Sequence, residues 1–407
     1  MKLVKTVLSQ RAREIESSPT IALTMKAREL RKQGIDISIF GQGEPDFTTP
    51  DHIIESAYRA MKGGYTKYSP VPGYPELRKA ISEKLKSENS VDYSPEQIVV
   101  SSGAKHSITN AMYAILDPGD EVIIPVPGWV SYWEQVKLTG AKPILVKTKS
   151  EREFKITADE IRAVLTEKTK LLILNSPGNP TGSVYTREEL AKIADLCVER
   201  DLLVMSDEIY EKLIYDNAEH ISIASLSEEI QARTIIINGF SKAYAMTGWR
   251  MGYAAAPLEI ADAMNKIQSQ TTSNATSFVQ IASMEALQGP QEPIAEMIEE
   301  YDKRRKLMVQ LLQDIPGVEC SAPKGAFYVF LCIQALIGLK YNGEQITDDE
   351  CLTGLLLEIA HIQVVPGSSF GMPGYIRFSY ATDMETIKSG MGKLKQFVTD
   401  LHQQQAI

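Results

Sequence analysis

Lys170-Leu-Leu-Ile-Leu-Asn-Ser-Pro-Gly-Asn-Pro-Thr-Gly182, an amphipathic stretch over 187–200, and Leu202-Leu-Val-Met-Ser206 read in turn as strand, tight turn, helix and strand. Both strands are near-continuous apolar runs, which suits a sheet covered on its two faces, and a helical crossover is what two parallel neighbours require. Working outward, the same alternation recurs. A strand over 97–101 stops at Ser102-Gly103 and a helix follows over 105–116. Further strands read over 120–124, 234–238 and 252–256. The expected core is therefore an α/β layer with a mostly parallel sheet, and in such sheets ligands sit beyond the carboxyl ends of the strands. The polar, glycine-containing segments of this chain fall at those ends.

The last third changes character. A long amphipathic helix over 292–312 carries the run Glu299-Glu-Tyr-Asp-Lys-Arg-Arg305, read as a solvated helix face. Strand-like pieces over 326–332, 362–365 and 375–379 and a helix over 384–402 form an α+β pattern, with which residues 1–45 are expected to pack.

Composition bounds the rest. The chain has 407 residues, 43% hydrophobic and 23% charged, enough for a large core and for more than one domain. Its apolar runs, such as 171–174 and 235–237, are far short of the roughly 20 residues that span a bilayer. The first residues lead into Arg11-Ala-Arg-Glu14 without the apolar core of a signal peptide, so a soluble, cytoplasmic protein is expected. A net charge of −9 argues against a basic nucleic-acid-binding surface. Four cysteines without CxxC spacing are expected to be reduced and mostly buried, and five scattered histidines give no metal-site pattern, so no metal is expected.

The segment richest in chemistry is Asn238-Gly-Phe-Ser-Lys-Ala-Tyr-Ala-Met-Thr-Gly-Trp-Arg-Met-Gly252. Lys242 follows an apolar strand among small residues, where desolvation and a nearby cation would make its amine a nucleophile. Arg250 suits bidentate capture of phosphate. Read alone, a surface lysine and a structural ion pair remain equally open. Asp207, in Ser206-Asp-Glu-Ile-Tyr210, reads as a helix cap or as a buried carboxylate. Asn179 lies in a turn stiffened by prolines and glycines. The strand–glycine–helix junction Ser101-Ser-Gly-Ala-Lys-His106 offers backbone N–H groups and a helix dipole to an anion at Gly103 and Ala104.

In this order and spacing, GEPDF, NPTG, SDEIYE and KAYAMTGWR resemble class I pyridoxal-phosphate-dependent aminotransferases, most closely the bacterial-type aspartate aminotransferases, from about Ser18 to the C-terminus. The resemblance implies the fold-type I architecture: a large cofactor-binding domain over 46–300 with a mostly parallel seven-stranded sheet flanked by helices, and a smaller α+β domain built from 1–45 and 301–407. It also implies a homodimer with shared active sites and pyridoxal 5′-phosphate as cofactor. By the same resemblance Lys242 carries the cofactor and moves a proton, Asp207 pairs with the pyridine nitrogen, and Tyr210 donates to the phenolic oxygen. Asn179 meets that oxygen and the substrate α-carboxylate. Trp129 stacks on the ring and borders the substrate. Gly103, Ala104, Ser241 and Arg250 take the phosphate, with Tyr68 supplied by the neighbouring subunit. Arg377 grips the α-carboxylate beside the Gly43 backbone, and Lys105 helps to hold the distal carboxylate.

Two departures stand out. Gly239 occupies a position where some relatives carry a phosphate-binding serine, and no residue matches the distal-carboxylate arginine of the animal-type enzymes. Thr20 together with Lys105 resembles the pattern of enzymes that also accept prephenate. The expected activity is ping-pong transamination between an L-amino acid, aspartate, and a 2-oxo acid, 2-oxoglutarate. The alternatives are an aspartate/prephenate, aromatic or alanine aminotransferase, and a pyridoxal-phosphate lyase that would use the same Lys242 and Asp207. A ligand-sensing regulator would need a DNA-binding domain ahead of the lysine domain, for which residues before Ser18 leave no room.

Overall fold

Seven strands form one sheet: β1 Ile98–Ser101, β2 Glu121–Val126, β3 Lys142–Lys147, β4 Thr169–Asn175, β5 Leu203–Asp207, β6 Thr234–Gly239 and β7 Gly252–Ala255. In this computed structural model, which describes residues 8–15 and 19–405 and only the backbone of residues 10 and 19–24, they lie in the order β1-β7-β6-β5-β4-β2-β3. Only β7 runs against its neighbours. The apolar runs arise because successive side chains alternate between two buried faces. Leu171 and Ile173 of β4 join a cluster with Ile108 and Met112 of the helix Ala104–Ile115. Leu172 and Leu174 join the opposite cluster with Leu190 and Ile193 of the helix Arg187–Glu199.

The sequence reading missed β3. Its sequence, Lys-Pro-Ile-Leu-Val-Lys, begins and ends on exposed lysines, and it is one of the two edge strands. Charge and proline on an edge strand discourage pairing with another chain, and they also hide the strand from an apolar pattern.

Beyond the sheet, Tyr375–Ser379 is the centre of a three-stranded antiparallel sheet between Val365–Pro366 and Tyr328–Cys332. The single strand expected over 362–365 is two. Ile362–Gln363 pairs in parallel with Ser38–Ile39, whereas Val365–Pro366 pairs with Tyr375–Ser379. The first of these pairings ties a segment near the start of the chain to its last third.

The charged run 299–305 is not the solvated face expected. Tyr301, Arg304 and Arg305 of the helix Glu292–Gln313 are buried, while Lys303 stays exposed. The Arg305 guanidinium donates to both Asp216 oxygens (2.6 and 2.7 Å), to Asp302 and to the Pro323 carbonyl (3.0 Å), and lies over the Tyr215 ring. Arg304 Nη1 donates to both Asp46 oxygens, at 2.8 and 2.9 Å. Asp46 and Asp216 come from distant loops, so a reading confined to the helix could not pair them, and each long stem buries methylenes while its head meets a carboxylate. The cysteines also differ in part: all four are free, but only Cys197 is buried. Among the described residues, no helix is long and apolar enough to cross a membrane.

Replacing Arg305 removes packing and a fork of charge-assisted hydrogen bonds. Arg305→Ala is therefore expected to cost about 2–4 kcal/mol in chemical denaturation, against no more than about 0.5 kcal/mol for Lys303→Ala. Equal effects of the two substitutions would restore the solvated-face reading.

Candidate active site

The carboxyl ends of β4, β5 and β6 open into a cavity of about 500 Å³, within the roughly 300–1,000 Å³ range of small-ligand sites. Lys242 stands three residues past β6. Its Nζ donates to the Gly43 carbonyl and lies 5.8 Å from the centres of the Tyr210 and Phe327 rings. Desolvation by these neighbours lowers its pKa to about 8; Glu44 and Asp207 pull it up, while Arg377 and Arg250 push it down. At neutral pH a usable fraction of the amine is unprotonated, as a nucleophile or proton carrier needs.

Asp207 ends β5 and is almost fully buried. Its Oδ2 accepts from the Tyr132 hydroxyl at 2.6 Å and its Oδ1 from the Ile209 N–H at 3.2 Å. Burial raises its pKa to about 6 against the opposing pull of Tyr132. A cationic nitrogen placed beside it would draw it back to the ionised form. Tyr210 is buried with its hydroxyl 2.8 Å from that of Tyr328.

Arg377 enters from the small sheet. It lies at the middle of its strand, and it is buried. Nη1 donates to Asn179 Oδ1 at 3.0 Å and Nη2 to the Gly41 carbonyl at 2.7 Å. Nε is buried without a partner among the described residues. The guanidinium lies 4.4 Å from the Tyr328 ring centre. Asn179 is itself positioned by its N–H, which donates to Asn175 Oδ1 at 2.8 Å. Gly43 is crowded, because a Cβ there would lie 3.1 Å from the Tyr328 hydroxyl.

At the other end of the cavity no side chain caps the helix Ala104–Ile115. Gly103, with φ +88°, precedes it, and a Cβ on Gly103 would lie 2.4 Å from Arg250 Nη2. The Gly103 N–H is taken by the Ser101 carbonyl at 2.7 Å, so the first N–H groups of the helix from Ala104 on, the helix dipole and the Arg250 guanidinium are what meet here to suit an anion. Ala104, Ser241 and Trp129 line the same cavity. The Lys105 ammonium lies 4.7 Å from the Trp129 ring centre, and burial followed by the charge of Arg250 lowers its pKa. The glycine at 239 has a local cause: β6 and β7 pair Gly239 with Gly252, and a Cβ would come within 2.9 Å of the Gly252 Cα.

Tyr68 is not brought into this cavity; it is 90% exposed. The side chain of Thr20 lies outside the described residues. Three neighbours escaped the sequence reading. Tyr132 and Tyr328 belong to no recognisable motif. Asn175, which donates to the Asp207 carbonyl at 3.0 Å, carried a usable signal, because it ends β4 in register with Asp207 at the end of β5.

Residues 35–394 match the family description "Aminotransferase class I and II". An aspartate aminotransferase of Bacillus sp. (strain YM-2) is 46% identical over 395 residues, covering 97% of this chain and 100% of that protein. A probable aspartate/prephenate aminotransferase of Aquifex aeolicus is 45% identical, covering 97% and 99%. The crystal structure of an aspartate aminotransferase from Rhizobium meliloti superposes with a TM-score of 0.94 at 39% identity, over 97% of this chain and 99% of that one. The chain belongs to the class I and II aminotransferases, and it is a pyridoxal-phosphate-dependent enzyme of the fold-type I architecture. The residues present suit that cofactor: an anion cradle, a buried carboxylate for a pyridine nitrogen and a depressed lysine share one cavity.

In the cofactor-free protein, acetylation of Lys242 by acetic anhydride, which loses acetate to the free amine, should rise with pH through a midpoint near 8. Exposed lysines should respond about two units higher. Site-resolved mass spectrometry reads both, and a Lys242 midpoint above about 10 would contradict the desolvation described.

Proposed function

We propose that the enzyme transfers the amino group of aspartate to 2-oxoglutarate, and that the residues named above perform the roles expected from the resemblance. The observation that carries the reading is the convergence on one cavity of a lysine with pKa about 8, a buried carboxylate and a buried arginine with an unpartnered Nε. Bound pyridoxal phosphate supplies an electron sink for negative charge at the substrate Cα. Gly103, Ala104, Ser241 and Arg250 hold its phosphate, and Trp129 packs on its ring. Asp207, kept in place by Tyr132, holds the proton at the pyridine nitrogen, and Tyr210 and Asn179 bond the phenolic oxygen. Lys242 anchors the cofactor and, once released, carries the proton away from Cα.

Arg377 and Asn179 grip the substrate α-carboxylate, with Gly43 leaving room for it. Lys105 takes part of the distal carboxylate. Closure of the part carrying Arg377 would exclude water and fix the pose. Residues 46–300 make up the cofactor-binding domain, and 1–45 with 301–407 the smaller one. The exposed Tyr68 completes the phosphate site of a second copy in a homodimer. With no nucleic-acid or membrane partner, the enzyme works in the cytoplasm. Relatives named for prephenate make acceptance of that oxo acid the second reading.

A panel of donors and acceptors including aspartate, glutamate, alanine, 2-oxoglutarate, oxaloacetate and prephenate decides substrate choice. Aspartate with 2-oxoglutarate should give the highest kcat/KM; prephenate as the preferred acceptor would favour the second reading. Lys242→Ala should lower kcat by about 10⁴-fold, and turnover within tenfold of wild type would contradict the role of Lys242. Lys105→Ala should lower kcat/KM for aspartate by about tenfold more than for alanine; equal losses would remove it from the distal site.

A further inference from the structure

We infer that Arg28 is a specificity-determining residue that binds the distal carboxylate of dicarboxylic amino and oxo acids, an assignment that rests on the transaminase reading of the cavity. The lining carries five cationic side chains, Arg28, Lys105, Lys242, Arg250 and Arg377, against two carboxylates, Glu44 and Asp207. Three of the five cations are accounted for. Lys242 donates to Gly43, Arg250 closes the anion cradle at Gly103, and Arg377 is buried between Asn179 and Gly41. The remaining pair, Lys105 and Arg28, lines the same cavity and is left for a second carboxylate.

Lys105 is fixed in the first turn of its helix over the Trp129 ring, so it offers a point charge from one side. Arg28 comes from a different element, the helix Pro19–Lys32. The other contacts of that helix hold it on neighbouring structure. Lys26 pairs with Glu358, Ala27 is buried in a cluster with Ile37 and Leu357, and Arg31 donates to the Ile37 carbonyl at 2.9 Å. Arg28, one residue on from buried Ala27, is exposed to the cavity and has neither hydrogen bond nor ion pair among the described residues.

A planar fork of donors matches a carboxylate bidentately, as an ammonium cannot, and an unpaired guanidinium at a cavity wall adds nothing to the fold. It leaves a fork free for the substrate class whose second anion must be recognised. A monocarboxylic amino acid such as alanine would leave Arg28 in water. An arginine on the helix Pro19–Lys32 would serve the role for which the sequence matches no animal-type arginine.

The test uses the holoenzyme with Arg28→Ala and Arg28→Lys. Steady-state kinetics are measured with aspartate and with alanine, and maleate and acetate are titrated against the absorbance of bound cofactor. Arg28→Ala should lower kcat/KM for aspartate by about 10- to 100-fold, chiefly through KM, and lower the aspartate-to-alanine ratio by at least about tenfold. Maleate should weaken in parallel while acetate does not, and Arg28→Lys should fall between. Equal losses for aspartate and alanine, or unchanged aspartate kinetics and maleate affinity, would overturn the assignment. If the wild type transaminated neither amino acid, the transaminase reading would fail by itself, and the maleate titration would still decide whether Arg28 holds a dicarboxylate.

Discussion

The guanidinium of Arg377 is the contact on which the arrangement depends. From the middle of the small sheet it reaches Asn179, in the loop after β4, and the Gly41 carbonyl in the segment that follows Ser38–Ile39. Three stretches remote in sequence are thereby joined by one cation. Burial of such a charge is tolerable only when its donors are engaged, and here one nitrogen, Nε, has no partner among the described residues. That shortfall is an unmet demand for an anion, placed where the sheets meet.

The electrostatics of the cavity follow from the same logic of desolvation. Lys242 is held in a poorly hydrated place beside Arg377 and Arg250, so its amine is readily freed of its proton. Asp207 is desolvated in the other sense, toward protonation, until a cationic partner arrives. Fixed dipoles at the start of the helix Ala104–Ile115 await a phosphate. Each group is poorly matched by its protein neighbours alone and well matched by one particular kind of ligand. Functional sites commonly hold such uncompensated groups.

Most of the fold was legible because the central strands are buried on both faces, and such strands write themselves as apolar runs. β3 was not, since an edge strand is protected by the lysines that disguise it. The strand over 362–365 looked continuous because its division is made by partners elsewhere, Ser38–Ile39 on one side and Tyr375–Ser379 on the other. Arg304 and Arg305 looked solvated because, besides neighbours on their own helix, each meets a carboxylate about 90 or more residues away in the chain (Asp216, Asp46). The motif residues around Lys242, Asp207, Asn179 and Arg377 were legible as a set, through order and spacing. Tyr132, Tyr328 and Arg28 were not, since each owes its place to tertiary packing and belongs to no local pattern.

The central claim is that Lys242 is the residue that anchors the cofactor. Borohydride reduction of the holoenzyme, followed by proteolysis and mass spectrometry, tests it directly. The account predicts the reduced cofactor covalently fixed on the peptide containing Lys242 and on no other. Fixation on a different lysine, or cofactor released unmodified after reduction, would contradict it.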